Sequence, residues 1–186
     1  DAARALGAPA RARAHYQAAL ALIEALRAEA PRNTLWARDW TIAQEKLGDV
    51  ADDAGEAYRR YADAFRLRER LAAEDEGNLT RRIDLALARL KRGDALARLG
   101  QRADGRADAE AAVAILRAVR DADPDHAAAA GQFATALAYA GDLFRTLDEP
   151  DAARDAYADS LATARALTAR DPRPAPRTPR IWSTIR

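Results

Sequence analysis

The 186-residue chain contains no cysteine and no methionine. Without cysteine it can form neither a disulfide nor a thiolate metal site, so cysteine content leaves the redox compartment undecided. Aromatic residues make up only 6% of the chain, so the core must be built from small side chains and close helix contacts. No apolar run approaches the roughly 18 residues that cross a bilayer. We therefore expect no membrane insertion and, with no targeting signal visible, a cytoplasmic location.

The chain also has no large excess of either positive or negative charge. The 30 basic and 29 acidic residues are interleaved along the chain and leave a net charge of +1. Interleaved charges are typical of solvated helix faces, and no large basic patch indicates nucleic-acid binding.

The usual patterns of catalytic sites are missing as well. The two serines, Ser160 and Ser183, do not lie in Gly-flanked turns, and no Gly-rich phosphate loop occurs. We therefore expect no enzyme and no cofactor in this chain, which leaves open a catalytic domain elsewhere in the parent protein.

What the chain does have is an internal repeat. Similar segments begin at Pro31, Glu76 and Pro124, and Pro172 marks a fourth register point, giving spacings of 45, 48 and 48 residues. A fixed period of this size is typical of solenoids, in which each unit buries its apolar face against its neighbours. The abundance of Ala, Leu, Arg and Glu favours helix throughout. The sequence therefore predicts an all-α solenoid of helix pairs.

Each unit reads as two helices. In the first complete unit, the first helix is predicted from about Asn33, as its N-cap, to Ala51, and the second from about Ala54 to Glu74. One position of the second helices has a tyrosine in three cases, Tyr16, Tyr61 and Tyr157, and an alanine, Ala109, in the remaining unit.

Three glycines recur at one register inside the first helices: Gly48, Gly93 and Gly141. Glycine costs about 1 kcal/mol relative to alanine inside a helix, so a repeated glycine implies a compensating gain. We predict that the paired helix approaches so closely at these positions that a Cβ atom would be in the way.

The first complete unit is three residues shorter than the others. Asp49 and Tyr61 are 12 residues apart, whereas the equivalent pairs of the two later units are 15 apart. The missing residues are predicted to fall in the turn around 52–55, which should then be tighter than the turns at 100–104 and 148–151.

The two-helix unit, with Gly and Ala at helix contacts, an early aromatic in the second helix and Pro at the unit boundary, resembles the tetratricopeptide repeat. That family's unit is about 34 residues, and lengthening each helix by about two turns would keep the same face inward. Segments 46–50 and 58–75 are similar to arrays of high-GC bacteria, found standalone or C-terminal to serine/threonine protein kinases. The resemblance implies a right-handed superhelix of antiparallel helix pairs.

In the tetratricopeptide family, the first helices line a concave groove. The resemblance therefore implies a peptide-binding groove formed by Ile42, Glu45, Asp49, Leu87, Leu90, Asp94, Arg98, Thr135, Asp142 and Arg145. The row Asp49, Asp94 and Asp142 has two readings. It could bind a basic or N–H-rich peptide. In the reading that we prefer, each carboxylate pairs with an Arg or Lys of a neighbouring unit and fixes the stacking angle.

The register also assigns roles to the two ends of the chain. Residues 1–171 are expected to form the repeat array, cut within a first helix, so that the helix from about Pro9 to Glu29 exposes apolar surface and offers a route to self-association. Residues 172–186, rich in Pro and Arg, are expected to form an extended or disordered tail. Two other readings of this tail are a basic polyproline ligand and a segment that folds into the acidic groove.

Metal binding is not predicted. Asp121, Asp123, Asp125 and His126 resemble a cation-binding cluster, but a calcium loop also needs a glycine and a distal bidentate glutamate, and both are missing. His15 is expected to be structural or exposed.

The sequence thus supports two hypotheses of function. The first is a non-catalytic scaffold that binds a protein or peptide in the concave groove. The alternative is a regulatory or sensing arm of a larger signalling enzyme, such as a bacterial serine/threonine protein kinase. A scaffold would bind its partner as an isolated fragment, whereas a regulatory arm would change an attached activity.

Overall fold

The computed structural model describes residues 2–123 and 127–170, and the side chains of residues 9–123 and 131–169. The tail predicted at 172–186 lies outside the described residues, as do Asp125 and His126 of the acidic cluster. Within this part, every regular element is a helix: α1 (Ala2–Glu29), α2 (Thr34–Asp49), α3 (Ala54–Glu74), α4 (Leu79–Arg98), α5 (Arg102–Ala122), α6 (Ala127–Thr146) and α7 (Pro150–Arg170).

Consecutive helices pack against each other along the chain, and α4 also packs against α6. This is the packing expected of a helical solenoid, so the predicted all-α class is confirmed. The three complete units correspond to the helix pairs α2–α3, α4–α5 and α6–α7.

Side-chain caps define where several helices begin. The side-chain oxygen of Asn33 accepts a hydrogen bond from the backbone N–H of Leu35 at 3.0 Å, which confirms the predicted N-cap of α2. Asn78 caps α4 in the same way, accepting from the N–H of Arg81. Asp53 caps α3. Each cap satisfies a backbone donor that the first turn of a helix leaves free.

Alanine is the commonest residue of the core, in keeping with the composition. The main cluster joins α4, α5, α6 and α7, and several of its alanines are fully buried, among them Ala86, Ala109, Ala112 and Ala136. Because alanine side chains are small, the axes of neighbouring helices can approach closely, and little empty space is left between the units.

The repeated glycines lie where helices meet most closely. A Cβ atom at Gly48 would lie 2.5 Å from the ring of Tyr61, and one at Gly141 would lie 2.5 Å from the ring of Tyr157. At Gly93 a Cβ atom would lie 3.0 Å from the backbone oxygen of Gly105. These distances are below or at the limit of contact, so the predicted close approach is confirmed.

The predicted tight turn in the first complete unit is wrong. Four residues, 50–53, link α2 to α3, whereas only three link α4 to α5 and α6 to α7. The missing residues instead come from α2, which ends one residue after Gly48, whereas α4 and α6 continue for five residues after Gly93 and Gly141. The shorter unit has therefore lost the last turn of its first helix.

Helix α1 also differs from its predicted extent. It runs back through Pro9 to Ala2 instead of beginning near Pro9. Leu22 and Leu26 on α1 are exposed, as expected for apolar surface on this helix. Self-association through this surface stays a prediction.

Helices α4 and α6, the first helices of the two later units, end in the same left-handed turn. Gly100 follows α4 with φ of 81°, and Asp148 follows α6 at the equivalent position with φ of 58°. In each case the next residue donates its backbone N–H back to the helix, from Gln101 to Leu96 and from Glu149 to Phe144. This hydrogen bond is characteristic of the Schellman motif, which favours glycine at the left-handed position.

We predict that Gly100→Ala lowers the free energy of unfolding by about 1 kcal/mol, because alanine is strained at positive φ. The matched control is Gly131→Ala inside α6. A Cβ atom meets nothing within 4 Å at either position, so backbone conformation is the difference between them. Gly131→Ala should raise the free energy of unfolding by up to about 1 kcal/mol. Urea unfolding followed by circular dichroism measures both, and shifts in the same direction would contradict the prediction.

Candidate functional site

A cavity of about 510 Å³ lies among the C-terminal ends of α2, α4 and α6. We call it the groove cavity. Six of the ten predicted groove residues line it: Asp49, Leu90, Asp94, Arg98, Asp142 and Arg145. Carboxylates from three successive first helices thus face one space.

The position of the groove cavity follows from the early end of α2. One wall is formed by residues 51–54, at the start of the second helix of that unit, and the others by residues between 90 and 98 of α4 and between 139 and 146 of α6. Because α2 stops a turn short, this loop takes the place that the last helical turn has in the other two units. The length difference visible in the sequence therefore shapes the site.

Asp49 is held firmly in place. Its carboxylate accepts hydrogen bonds from the Tyr61 hydroxyl at 2.9 Å and from Lys91 Nζ of the next helix pair at 2.6 Å. Burial alone would raise the pKa of Asp49, but the hydrogen bond and charge of Lys91, with smaller contributions from Tyr61 and Lys46, outweigh burial and lower this pKa. Burial and the Asp49 carboxylate together raise the pKa of the Tyr61 phenol far above its usual value. Asp49 thus has the partner in a neighbouring unit that the preferred reading expects.

The other two carboxylates of the row are held differently. Asp94 pairs at 2.6 Å with Arg98 on its own helix, and Asp142 lies 3.8 Å from Arg145 on its own helix. Asp142 also accepts a hydrogen bond from the Tyr157 hydroxyl at 2.7 Å, and this bond is the main cause that raises the pKa of Tyr157. In the part of the chain that the structure describes, neither carboxylate forms an ion pair with a neighbouring unit.

The cavity is also lined by residues that were not predicted from the sequence, among them Lys91 and Tyr139. Both lie two residues before the repeated glycine of their helix, a position that Lys46 has in α2. Tyr139 is 51% exposed, so its ring is accessible from the cavity. Comparing this register position across the units would have found both residues.

The remaining four predicted groove residues do not line the cavity. Glu45 is buried and forms an ion pair with Arg68 at 3.1 Å, and burial is the main cause that raises the pKa of Glu45. Leu87 packs against the main core cluster, and Ile42 is partly buried. Thr135 is exposed, and its hydroxyl donates to the backbone of its own helix.

Glu45 belongs to a buried polar cluster that joins three helices. Arg68 of α3 donates through Nε to the Thr41 hydroxyl at 3.0 Å and through Nη1 to the backbone oxygen of Asp84 at 2.7 Å. The Asp84 carboxylate accepts from Arg38 at 2.8 Å. A second cavity, of about 270 Å³, borders this cluster near the N-terminal ends of α2 and α4. The cluster links α2, α3 and α4 through one guanidinium group.

Other kinds of site are not found in the described residues. Within the described side chains, those of residues 9–123 and 131–169, no three His, Asp or Glu residues are grouped so that they could hold a metal ion. None of the helices described above is long and apolar enough to cross a membrane.

Comparison with protein-family models, with curated proteins and with solved structures gives no match. The packed helix pairs are compatible with a helical repeat, and the tetratricopeptide resemblance stays a prediction. The hypothesis of a regulatory arm in a signalling enzyme stays a prediction.

We predict that Arg68→Met lowers the free energy of unfolding by about 3 kcal/mol near neutral pH, because it leaves the buried Glu45 carboxylate without its counter-charge. Folding already raises the pKa of Glu45, so its ionised form opposes folding, and this cost disappears as the pH falls and the carboxyl group takes up a proton. The deficit relative to the native chain should therefore shrink between about pH 7 and about pH 5.

Two controls accompany this prediction. Arg66→Met on the same helix removes an exposed ion pair with Asp63 and should change stability by less than about 1 kcal/mol. The double variant Arg68→Met/Glu45→Leu should recover most of the loss, because no buried charge is then left unpaired. Chemical unfolding at several pH values measures all three, and a deficit that is independent of pH would contradict the assignment to Glu45.

Proposed function

We propose that this chain is a non-catalytic scaffold, a right-handed superhelical array that binds an extended basic peptide or protein segment in the groove cavity. The observation that carries the proposal is the convergence of Asp49, Asp94 and Asp142 on one space. In all, five carboxylates and three basic side chains line the cavity. An acidic lining attracts and orients a cationic partner.

The exposed ion pairs of the cavity favour exchange of partners. Arg98 and Arg145 are mostly exposed, so their pairing with Asp94 and Asp142 contributes at most about 1 kcal/mol each. A lysine or arginine of an incoming peptide can replace either arginine at little cost. Asp49, in contrast, is held by Tyr61 and Lys91 and keeps its position and its partners when a peptide binds.

Tyr139 supplies a second means of recognising a cation. It lies three residues before Asp142 on α6, so the two side chains are neighbours on one helix face. An exposed tyrosine ring attracts an ammonium or guanidinium group by about 0.5–1 kcal/mol. The same cationic side chain can therefore contact the ring of Tyr139 and the carboxylate of Asp142.

A random peptide library displayed on beads tests the proposal. We predict that the chain selects peptides enriched in Lys and Arg, with binding that weakens as salt is added. Asp94→Asn/Asp142→Asn should weaken binding of a selected peptide about tenfold, the loss expected for one or two cationic contacts, and Tyr139→Ala should weaken it about threefold.

The matched control is Asp63→Asn/Asp151→Asn. These two aspartates are exposed and, like Asp94 and Asp142, pair with an arginine of their own helix, but they do not line the groove cavity. The control should bind the selected peptide like the native chain. Selection of acidic or uncharged peptides, or equal loss in the control, would rule the proposal out.

A further inference from the structure

Two of the three helix pairs contain the same arrangement of glycine, aspartate and tyrosine. In both, the tyrosine ring packs on the glycine and the tyrosine hydroxyl donates to the aspartate that follows this glycine. Four residues after the tyrosine comes a large apolar residue. We call these sets the first socket, Asp49, Tyr61 and Phe65, and the second socket, Asp142, Tyr157 and Leu161.

The first socket is covered by α4. Lys91 Nζ lies 2.6 Å from the Asp49 carboxylate and 5.4 Å from the centroid of the Tyr61 ring, so one ammonium group contacts both polar and aromatic parts. The guanidinium of Arg92 lies 3.6 Å from the centroid of the Phe65 ring. As a result, Tyr61 is only 7% exposed and Phe65 only 5%.

The second socket has the same geometry but is exposed. Tyr157 is 37% exposed and Leu161 is 50% exposed, and the Asp142 side chain is 60% exposed compared with 33% for Asp49. The tyrosine–aspartate hydrogen bond is nevertheless formed at 2.7 Å. The polar and apolar parts of the surface are thus arranged as in the covered socket.

We infer that the second socket is a docking surface for an amphipathic helix of a partner protein that carries a lysine or arginine. The covered socket defines the chemistry of that helix. A basic side chain would take the place of Lys91, pairing with Asp142 and lying over the ring of Tyr157. Because Leu161 replaces Phe65, an apolar side chain is favoured where α4 has Arg92, since leucine offers no ring for a guanidinium group.

Charge around the second socket is compatible with this partner. Among the residues that the structure describes, Arg145 is the one that pairs with Asp142, at 3.8 Å, and its mostly exposed side chain can turn away to solvent. Asp159, between Tyr157 and Leu161 in sequence, is already paired with Arg117. Asp142 is therefore the carboxylate offered to an incoming cation.

This surface is distinct from the proposed peptide site. Tyr157 and Leu161 do not line the groove cavity, and only Asp142 belongs to both. Variants of Leu161 and Asp94 therefore separate the two proposals.

A peptide with the sequence of α4, residues 79–98, carrying Arg92→Leu to match Leu161 and stapled to hold it helical, is a suitable probe because it keeps Lys91, which contacts Asp49 and Tyr61 in the first socket. Its binding to the full chain is measured by fluorescence anisotropy. Leu161→Glu and Asp142→Asn in the chain, and Lys91→Ala in the peptide, are each expected to weaken binding at least fivefold. Leu22→Glu, which charges an exposed leucine of α1, and Asp94→Asn are expected to leave binding unchanged.

Three results would overturn this inference. The first is equal binding by Leu161→Glu, which would place the peptide elsewhere. The second is a dimer of the native chain in sedimentation that Leu161→Glu dissociates, which would make a second copy the occupant. The third is peptide binding that becomes at least tenfold tighter when residues 171–186 are removed, which would make this chain's own C-terminal segment the occupant. Loss of binding in Leu161→Glu with none of these results supports the partner helix.

Discussion

Each helix pair depends on a close approach of two helices at one glycine. Gly48 and Gly141 accept a tyrosine ring from the paired helix, and that contact aims the tyrosine hydroxyl at the aspartate that follows each glycine. The carboxylates are therefore oriented by the same contact that sets the distance between the helices. A larger residue at either glycine would move the packing and the acidic row together.

The middle helix pair departs from this arrangement, with consequences for the cavity. Its close contact is between Gly93 and Gly105, and Ala109 stands where the other pairs have tyrosine. Asp94 consequently has no tyrosine hydroxyl to accept from and pairs with the exposed Arg98. Asp94 is thus held through its own helix, whereas Asp49 is held by Tyr61 and Lys91 of two other helices.

The sequence predicted those features that depend on a few residues close together or on the repeat itself. The Asn33 cap and the glycine contacts belong to this class, because local chemistry and register are sufficient to define them. The missing turn of α2 was misplaced, because a register count shows that residues are lost but not whether a helix or a loop lost them. The burial of Glu45 depends on Arg68, a residue of another helix at a non-repeated position, so helical periodicity could not reveal it.

The buried charges have a role that follows from the alanine-rich core. A core with many similar small side chains specifies the register between helices only weakly. A buried ion pair contributes little net stability compared with apolar packing. Its hydrogen bonds, however, can form in only one register. Asp108 of α5 is buried and binds Arg92 of α4 through two bonds, at 2.6 and 2.7 Å, while Arg92 lies over Phe65 of α3. Together with the Arg68 cluster, these contacts favour one stacking of α2 to α5, and hence one spacing of the carboxylates that the helices carry.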